Sequence, residues 1–226
     1  MIRRPIQKAT SILLGLLSVA FLLAGYTWMA HRQHLQNPED TTIPTWSQIQ
    51  HGIKSTLQPD EWSGESWLVS DAKASGIRFF LGLLFGVGGA FLLGMVMGCF
   101  SAAEAFFYPP LSLLAKIPPT GALGVFFVLV GMDQSMFVTM ITFGILPTLA
   151  ITLFLAVKEF PEELQFKAYT LGASHSEVVW TILFRYVLPK MLDAVRLVIG
   201  PALVYLIAAE MVVGDVGFGY RIRLQS

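Results

Sequence analysis

Residues 166–189 read FKAYTLGASHSEVVWTILFRYVLP, a polar interruption between two long apolar runs. The pattern predicts two short helices meeting at a tight elbow. Pro161 suits the first turn of a helix, and Glu162 and Glu163 follow where the positive end of the helix dipole favours acids. Leu164, Ala168 and Leu171 then share one face. Gly172 stops this helix, because glycine readily takes the left-handed conformation of a C-terminal cap. Ser174 with Glu177 three residues on is a capping box that starts a second helix at once. In that helix Val178, Ile182 and Tyr186 stack in one row, with Val179, Leu183 and Val187 beside them. A DNA-binding helix–turn–helix does not fit, since SHSEVVWTILFRY lacks the basic and amide side chains a recognition helix needs. A passive tether has little need of a rigid elbow.

Composition supplies the setting. The chain has 226 residues, 54% hydrophobic and only 13% charged, with a mean hydropathy of +0.64. Soluble domains carry roughly 25% charge, and the deficit here falls in long uncharged runs, which places the chain in a membrane. Fifteen basic residues balance fifteen acidic ones, so nothing argues for a nucleic-acid partner. Cys99 is the only cysteine, which excludes an intrachain disulfide and reads as a small buried hydrophobe.

Five apolar runs follow along the chain, near 12–30, 77–103, 112–132, 136–157 and 191–213. The first follows Arg3, Arg4 and Lys8. It is longer than the apolar core of a signal peptide and ends in Trp28, so it reads as an uncleaved helix with a cytoplasmic N-terminus. Residues 31–76 form a polar outer segment, in which Trp46, Ile49, Ile53 and Leu57 recur at helical spacing behind Pro44 and predict an amphipathic helix on the outer surface. His31 and His34 have no further ligand nearby, read as solvent-facing, and predict no metal site. In the second run Gly82, Gly86, Ala90, Gly94 and Gly98 fall at every fourth position, a groove of small residues that admits another backbone.

Prolines at 109–110 and 118–119 flank Lys116, so a regular helix through that stretch is not expected. Broken backbone at membrane depth is tolerated only where protein covers it or water reaches it. Pro118 and Pro119 are therefore candidates for the wall of a pathway, although a cytoplasmic loop ending in a shorter helix fits the same residues. Pro147 predicts a kink in the fourth run. With the N-terminus inside, residues 158–190 fall in the cytoplasm, and Lys158, Lys167, Arg185 and Lys190 agree with the positive-inside rule. The outer segment also holds Arg32, Lys54, Lys73 and Arg78, which count for less in a long translocated stretch. Glu210, an ionisable group in the last run, marks a pathway or a paired site, while Asp193 and Arg196 read as a structural ion pair. The sequence has no G-x-x-x-x-G-K-[ST] phosphate loop, nucleophile elbow, HExxH or CxxC, so no enzymatic reading stands.

The segment EELQFKAYTLGASHSEVVWTILFRYVLPKMLDAVRL resembles the cytoplasmic signature loop of permease subunits of ABC importers. That pattern runs Glu-Ala-Ala, three residues, Gly, nine residues, an aliphatic, one residue, Leu-Pro. Aligned on Gly172, Ala168 is the second alanine, Ala173 and Ser174 complete Gly-Ala-Ser, and Ile182 is the aliphatic. Phe166 and Lys167 replace Glu-Ala, Phe184-Arg185 replaces Leu-Pro, and a later Leu-Pro stands at Leu188-Pro189. The final AAEMVVGDVGFGY resembles the nitrate, sulfonate and taurine branch, and LPKMLDAVRL with AAEM leans towards permeases associated with urea-carboxylase systems. The resemblance covers roughly residues 65–226.

It implies an all-α, polytopic MetI-like type I permease of the bacterial inner membrane. About five spanning helices are present, and a final one, which family members normally add, would be missing from a truncated chain or fragment. The organisation it implies is 1–30, a first spanning helix; 31–76, a periplasmic segment; and 77–226, a permease core with a coupling loop at 158–190. Glu163, Phe166, Lys167, Ala168, Gly172, Ala173, Ser174 and Glu177 would couple to a separate ATP-binding subunit. The implied partners are two such ATPase subunits, a periplasmic solute-binding protein, a second permease subunit and membrane lipid, with no cofactor. The solute would be nitrate, a sulfonate, taurine, or a urea- or guanidine-like compound. An ion-coupled secondary transporter would need more buried acids than Asp193 and Glu210, and internal repeats. A non-transporting membrane scaffold would bind no ATPase.

Overall fold

The computed structural model describes residues 6–37, 42–58 and 66–225; Arg3 and Arg4 lie outside them. Those residues form helices and no strand, in two units that divide at Leu68. In the first unit, α1 (Lys8–Gln36) carries no charge between Lys8 and Arg32. α2 (Trp46–Leu57) starts two residues after Pro44, with Thr45 as its N-cap. The Thr45 hydroxyl accepts from Gln48 N, and the Gln48 side chain accepts from Thr45 N at 2.7 Å. His34 is half-buried, with Nδ1 2.9 Å from the Ala30 carbonyl and Nε2 3.2 Å from Gln48 Oε1. It joins the two helices and is not the solvent-facing residue the sequence predicts.

The second unit begins in α3 (Trp67–Cys99). This helix starts ten residues before the expected 77, because Asp71, Ser75 and Arg78 continue its buried face. Below them, a Cβ at Gly82 would stand 2.6 Å from Ile141 Cβ, one at Gly86 2.5 Å from Ile145 Cδ1, and one at Gly94 2.7 Å from Leu153 Cβ. At Gly98 it would collide with Val157, and Ala90 is fully buried. Ile141, Ile145, Leu153 and Val157 lie on α6 (Gln134–Lys158), so the bare stripe of one helix receives the branched side chains of the other.

The expected span at 112–132 is instead two helices. α4 (Ser101–Leu114) runs straight through Pro109 and Pro110, where Ser112 Oγ donates to the Pro109 carbonyl at 2.8 Å. The break falls at 115–122, held by short turns such as Ala122 N to the Pro119 carbonyl at 3.1 Å. α5 (Leu123–Val130) then has eight residues, about 12 Å at 1.5 Å per residue. A hydrocarbon core is about 30 Å thick, so α5 cannot span it. Among the described residues four helices are long and apolar enough to cross, one fewer than expected.

Through Pro147, α6 continues as the most enclosed of them and carries both apolar clusters. One joins Leu149, Leu153 and Val157 to Ala90, Met97, Leu183 and Val187; the other joins Met136, Met140, Ile141 and Ile145 to Phe126, Ala202 and Leu206. α7 (Glu162–Thr170) precedes the elbow, and α8 (His175–Val213) runs from it for 39 residues. A π-helical turn, Val178–Leu183, interrupts the start of α8. With the extra residue in that turn, the buried positions are Val178 from one expected row and Leu183 and Val187 from the row beside it. α9 (Phe218–Gln225) folds back against α8.

Candidate functional site

Two constructions stand out in the second unit, an exposed elbow and a buried cluster of charges. At the elbow Pro161 takes the N-cap of α7, one position before the first turn, with Glu162 and Glu163 next. The far end is a Schellman motif. Gly172 lies at φ +87°, its N–H donates to the Tyr169 carbonyl at 2.9 Å, and Ala173 N donates to the Ala168 carbonyl at 3.1 Å. Ser174 then caps α8: its Oγ accepts from Glu177 N at 3.3 Å, and Glu177 Oε2 accepts from Ser174 N at 2.8 Å. Four residues, 171–174, thus join the two helices with the local backbone donors accounted for.

The Ser174 backbone N–H, with the Ser174 hydroxyl, holds the Glu177 carboxyl below the usual carboxylate range. Glu177 lies sixteen residues ahead of Asp193, outside the apolar part of α8. Side chains brace the turn at both ends. Tyr169 Oη lies 2.7 Å from His175 Nδ1 across the apex. At the base Lys190 pairs with Glu159, and Tyr186 Oη donates to the Glu159 carbonyl at 3.3 Å and stacks edge-on with Phe160.

The sequence-predicted coupling residues separate into two groups. Glu163, Phe166 and Lys167 are exposed on the outer face of α7, available to another molecule. Ala168 is buried, and Gly172, Ala173, Ser174 and Glu177 build the turn itself. Leu171 was read only as a face residue of α7, yet it is 89% exposed, more than Phe166 at 65%. Solvent-exposed apolar side chains on a braced turn suit a protein contact.

The second construction lies at the other end of α3. Asp71, Ser75 and Arg78, one face of its first turns, meet Glu210 of α8 and the hairpin before α9. Glu210 Oε1 accepts from Arg78 Nη1 at 2.9 Å, Ser75 Oγ lies 2.9 Å from both carboxylate oxygens, and Gly219 N donates to Oε2 at 3.0 Å. Arg78 also donates to the Val216 carbonyl at 2.7 Å and to Gln134 Oε1 at 3.2 Å, with its guanidinium 4.1 Å over the Phe137 ring. Asp71 accepts from Gly217 N at 2.9 Å and from Arg221 Nε at 2.8 Å. Gly217, at φ +126°, lies so close to Glu210 that a Cβ there would stand 2.5 Å from Oε1. Asp71, Arg78 and Glu210 are buried, and half-buried Arg221 completes a cluster of two acids and two arginines.

Sequence reasoning read Glu210 as a pathway residue or a paired site; the structure buries it completely and pairs it with Arg78. It missed Asp71, Ser75 and Arg78, of which Arg78 falls on the every-fourth-residue register of Gly82–Gly98 and Asp71 and Ser75 lie one position off it. Pro119 is buried and Pro118 exposed in the break between α4 and α5. Asp193 and Arg196 approach to 3.9 Å on the exposed surface of α8. Among the described residues no cluster of His, Cys, Asp or Glu could hold a metal ion.

Comparison with known proteins identifies the architecture. The family model described as "Binding-protein-dependent transport system inner membrane component" matches residues 79–226. The taurine transport system permease protein of Escherichia coli strain K12 is 23% identical over 98% of this chain and 78% of its own length. A putative aliphatic sulfonates transport permease protein of Bacillus subtilis strain 168 is 26% identical over 97% of this chain and 76% of its own. Among solved structures, an inward-facing form of the MetNI methionine ABC transporter superimposes with a TM-score of 0.53, at 19% identity, over 78% of this chain and 82% of that one. The chain belongs to this family of inner-membrane ABC importer permeases, and its fold is the all-helical MetI-like one.

Proposed function

We propose that the chain is the membrane subunit through which an ATP-driven importer admits a small anionic solute, taurine or another sulfonate, with nitrate as the nearest alternative. The taurine and sulfonate relatives support this class over the urea- or guanidine-like one. In this reading the N-terminus and the elbow face the cytoplasm. The outer face of α7, with Glu163, Phe166 and Lys167 flanked by Leu171, docks on an ATP-binding subunit. A solute-binding protein delivers solute from the other side, and two permease subunits form the pathway.

The observation that carries the reading is the joint at residues 171–174. A rigid Schellman turn passes directly into a helix of 39 residues that continues through the bundle to Glu210. A push on α7 is then not absorbed by a flexible loop; it reaches the packed core at Leu183 and Val187. The break at Pro118 and Pro119 contributes to the wall of the pathway. Glu210 acts at a distance, fixing the hairpin before α9, and does not bind solute.

Co-purification with the ATP-binding subunit tests this reading. Gly172→Pro removes both the positive φ and the N–H that bonds Tyr169, and is expected to reduce recovery of that subunit at least tenfold while the permease still inserts. Undiminished recovery would refute the coupling role.

A further inference from the structure

α2 has an apolar stripe that the first unit leaves largely uncovered. At about 100° per residue, Trp46, Ile49, Ile53 and Leu57 fall within an arc of about 80°, and Ile53 and Leu57 are 56% and 53% exposed. What the stripe faces follows from how α2 is fastened to α1. Trp46 Nε1 donates to Thr27 Oγ1 at 3.0 Å, and the Trp46 ring meets Tyr26 edge-on at 5.4 Å. Tyr26 Oη donates to the Pro44 carbonyl at 2.6 Å. Gln48 lies about 200° round α2 from Trp46, and it reaches His34 instead.

Those anchor points differ in depth. Thr27 is nineteen residues from Lys8, about 29 Å along α1 at 1.5 Å per residue, close to the roughly 30 Å thickness of a hydrocarbon core. His34 lies about 10 Å beyond it on the same scale. The Trp46 side of α2 therefore points back along α1 towards the apolar run, and the Gln48 side points away from it. Tyr26, Trp28 and Trp46 gather at that level, as aromatic residues do at a membrane–water boundary.

We infer that α2 is an interfacial helix, lying across the end of α1 with Ile49, Ile53 and Leu57 seated among phospholipids at the base of the headgroups. Its tie to Tyr26 and Thr27 sets the depth, and the capping box at Thr45 starts the helix at that level. This does not depend on the coupling role of the elbow. It requires only that α1 spans the membrane.

Site-directed spin labelling of the full chain in phosphatidylethanolamine–phosphatidylglycerol bilayers tests it. In a Cys99→Ser background, single cysteines are placed in turn from 47 to 57. Collision with oxygen should dominate at 49, 53 and 57, at a depth of about 5–10 Å. Collision with a water-soluble nickel chelate should dominate at 48, 51 and 55. Nickel access all round the helix would overturn the inference, as would immobile labels reached by neither reagent, which would mean that a protein covers the stripe. Should Cys99→Ser fail to insert, brominated-lipid quenching gives the same answer from wild type and Trp46→Phe. The quenchable fluorescence falls on substitution if the stripe lies in lipid, and an unchanged value contradicts it.

Discussion

Arg78 Nη1 and Glu210 Oε1 meet at 2.9 Å, with side-chain exposures of 4% and 0%. They lie 132 residues apart in the chain, and their contact pins the start of α3 to the end of α8 and to the hairpin leading into α9. In a buried pair, loss of one partner strands the other charge and costs about 3–5 kcal/mol, whereas replacing both by apolar groups costs far less. Arg78→Met is therefore expected to destabilise the bundle by about that amount, and Arg78→Met with Glu210→Met to recover much of the loss. Unfolding in mixed micelles measures both. A double variant as unstable as the single one would show that the hydrogen bonds to Val216, Gln134 and Gly219 matter more than the charge balance.

The α3–α6 seam predicts a graded response along one helix. At Gly94 a methyl group would meet the Ala150 carbonyl oxygen at 2.9 Å as well as Leu153, and backbone cannot step aside. At Gly86 it would meet the end of the Ile145 side chain, which can rotate; at Gly88 it would meet nothing within 4 Å. Gly94→Ala should cost about 1–3 kcal/mol and Gly86→Ala less. Gly88→Ala should be neutral, or stabilising by about 0.5–1 kcal/mol, because glycine is the poorer helix former. Thermal stability of the three variants checks the order.

At the elbow the backbone sets the outcome. Gly172 at φ +87° sits where an L-residue pays about 1–2 kcal/mol. Gly172→Ala should lose about that much local stability and Gly172→Asn less, since asparagine tolerates the left-handed region. Ser174→Ala removes the acceptor for Glu177 N and should cost about 0.5–2 kcal/mol. Hydrogen exchange of residues 171–178 reports each change.

Glu177 gives that cap a pH dependence. Its folded pKa is depressed by the Ser174 N–H and hydroxyl, so its contribution is complete above the ordinary carboxylate value of about 4.3. That contribution fades as pH falls through the lower folded value. Protection of the Ser174 amide should weaken in acid, and Glu177→Gln should abolish that pH dependence. Protection that rises on acidification would reverse the sign of the argument.

The elbow was legible in the sequence because its determinants are local: Gly172, Ser174 and Glu177 bond to residues no more than five positions away. The small-residue stripe of α3 was legible for a related reason, since one helix period encodes it. The charge cluster was not, because Arg78 and Asp71 find their ion-pair partners, Glu210 and Arg221, 132 and 150 residues away. Read as members of a polar outer segment, they were not connected with the helix face that carries Gly82. Pro109 and Pro110 misled in the opposite direction: paired prolines weaken a helix, yet α4 continues through them and breaks one turn later, before Pro118. The π turn at Val178–Leu183 leaves no mark in composition, so the sequence does not show that Leu183 and Val187 join Val178 in one buried row.

The measurement that bears most directly on the central claim is photocrosslinking from position 166 in the assembled transporter. With a benzoylphenylalanine replacing Phe166, the account predicts an adduct with the ATP-binding subunit whose yield changes on adding ATP, and none from the same probe at Trp46. An assembled complex in which position 166 links only to lipid or to the solute-binding protein would contradict it.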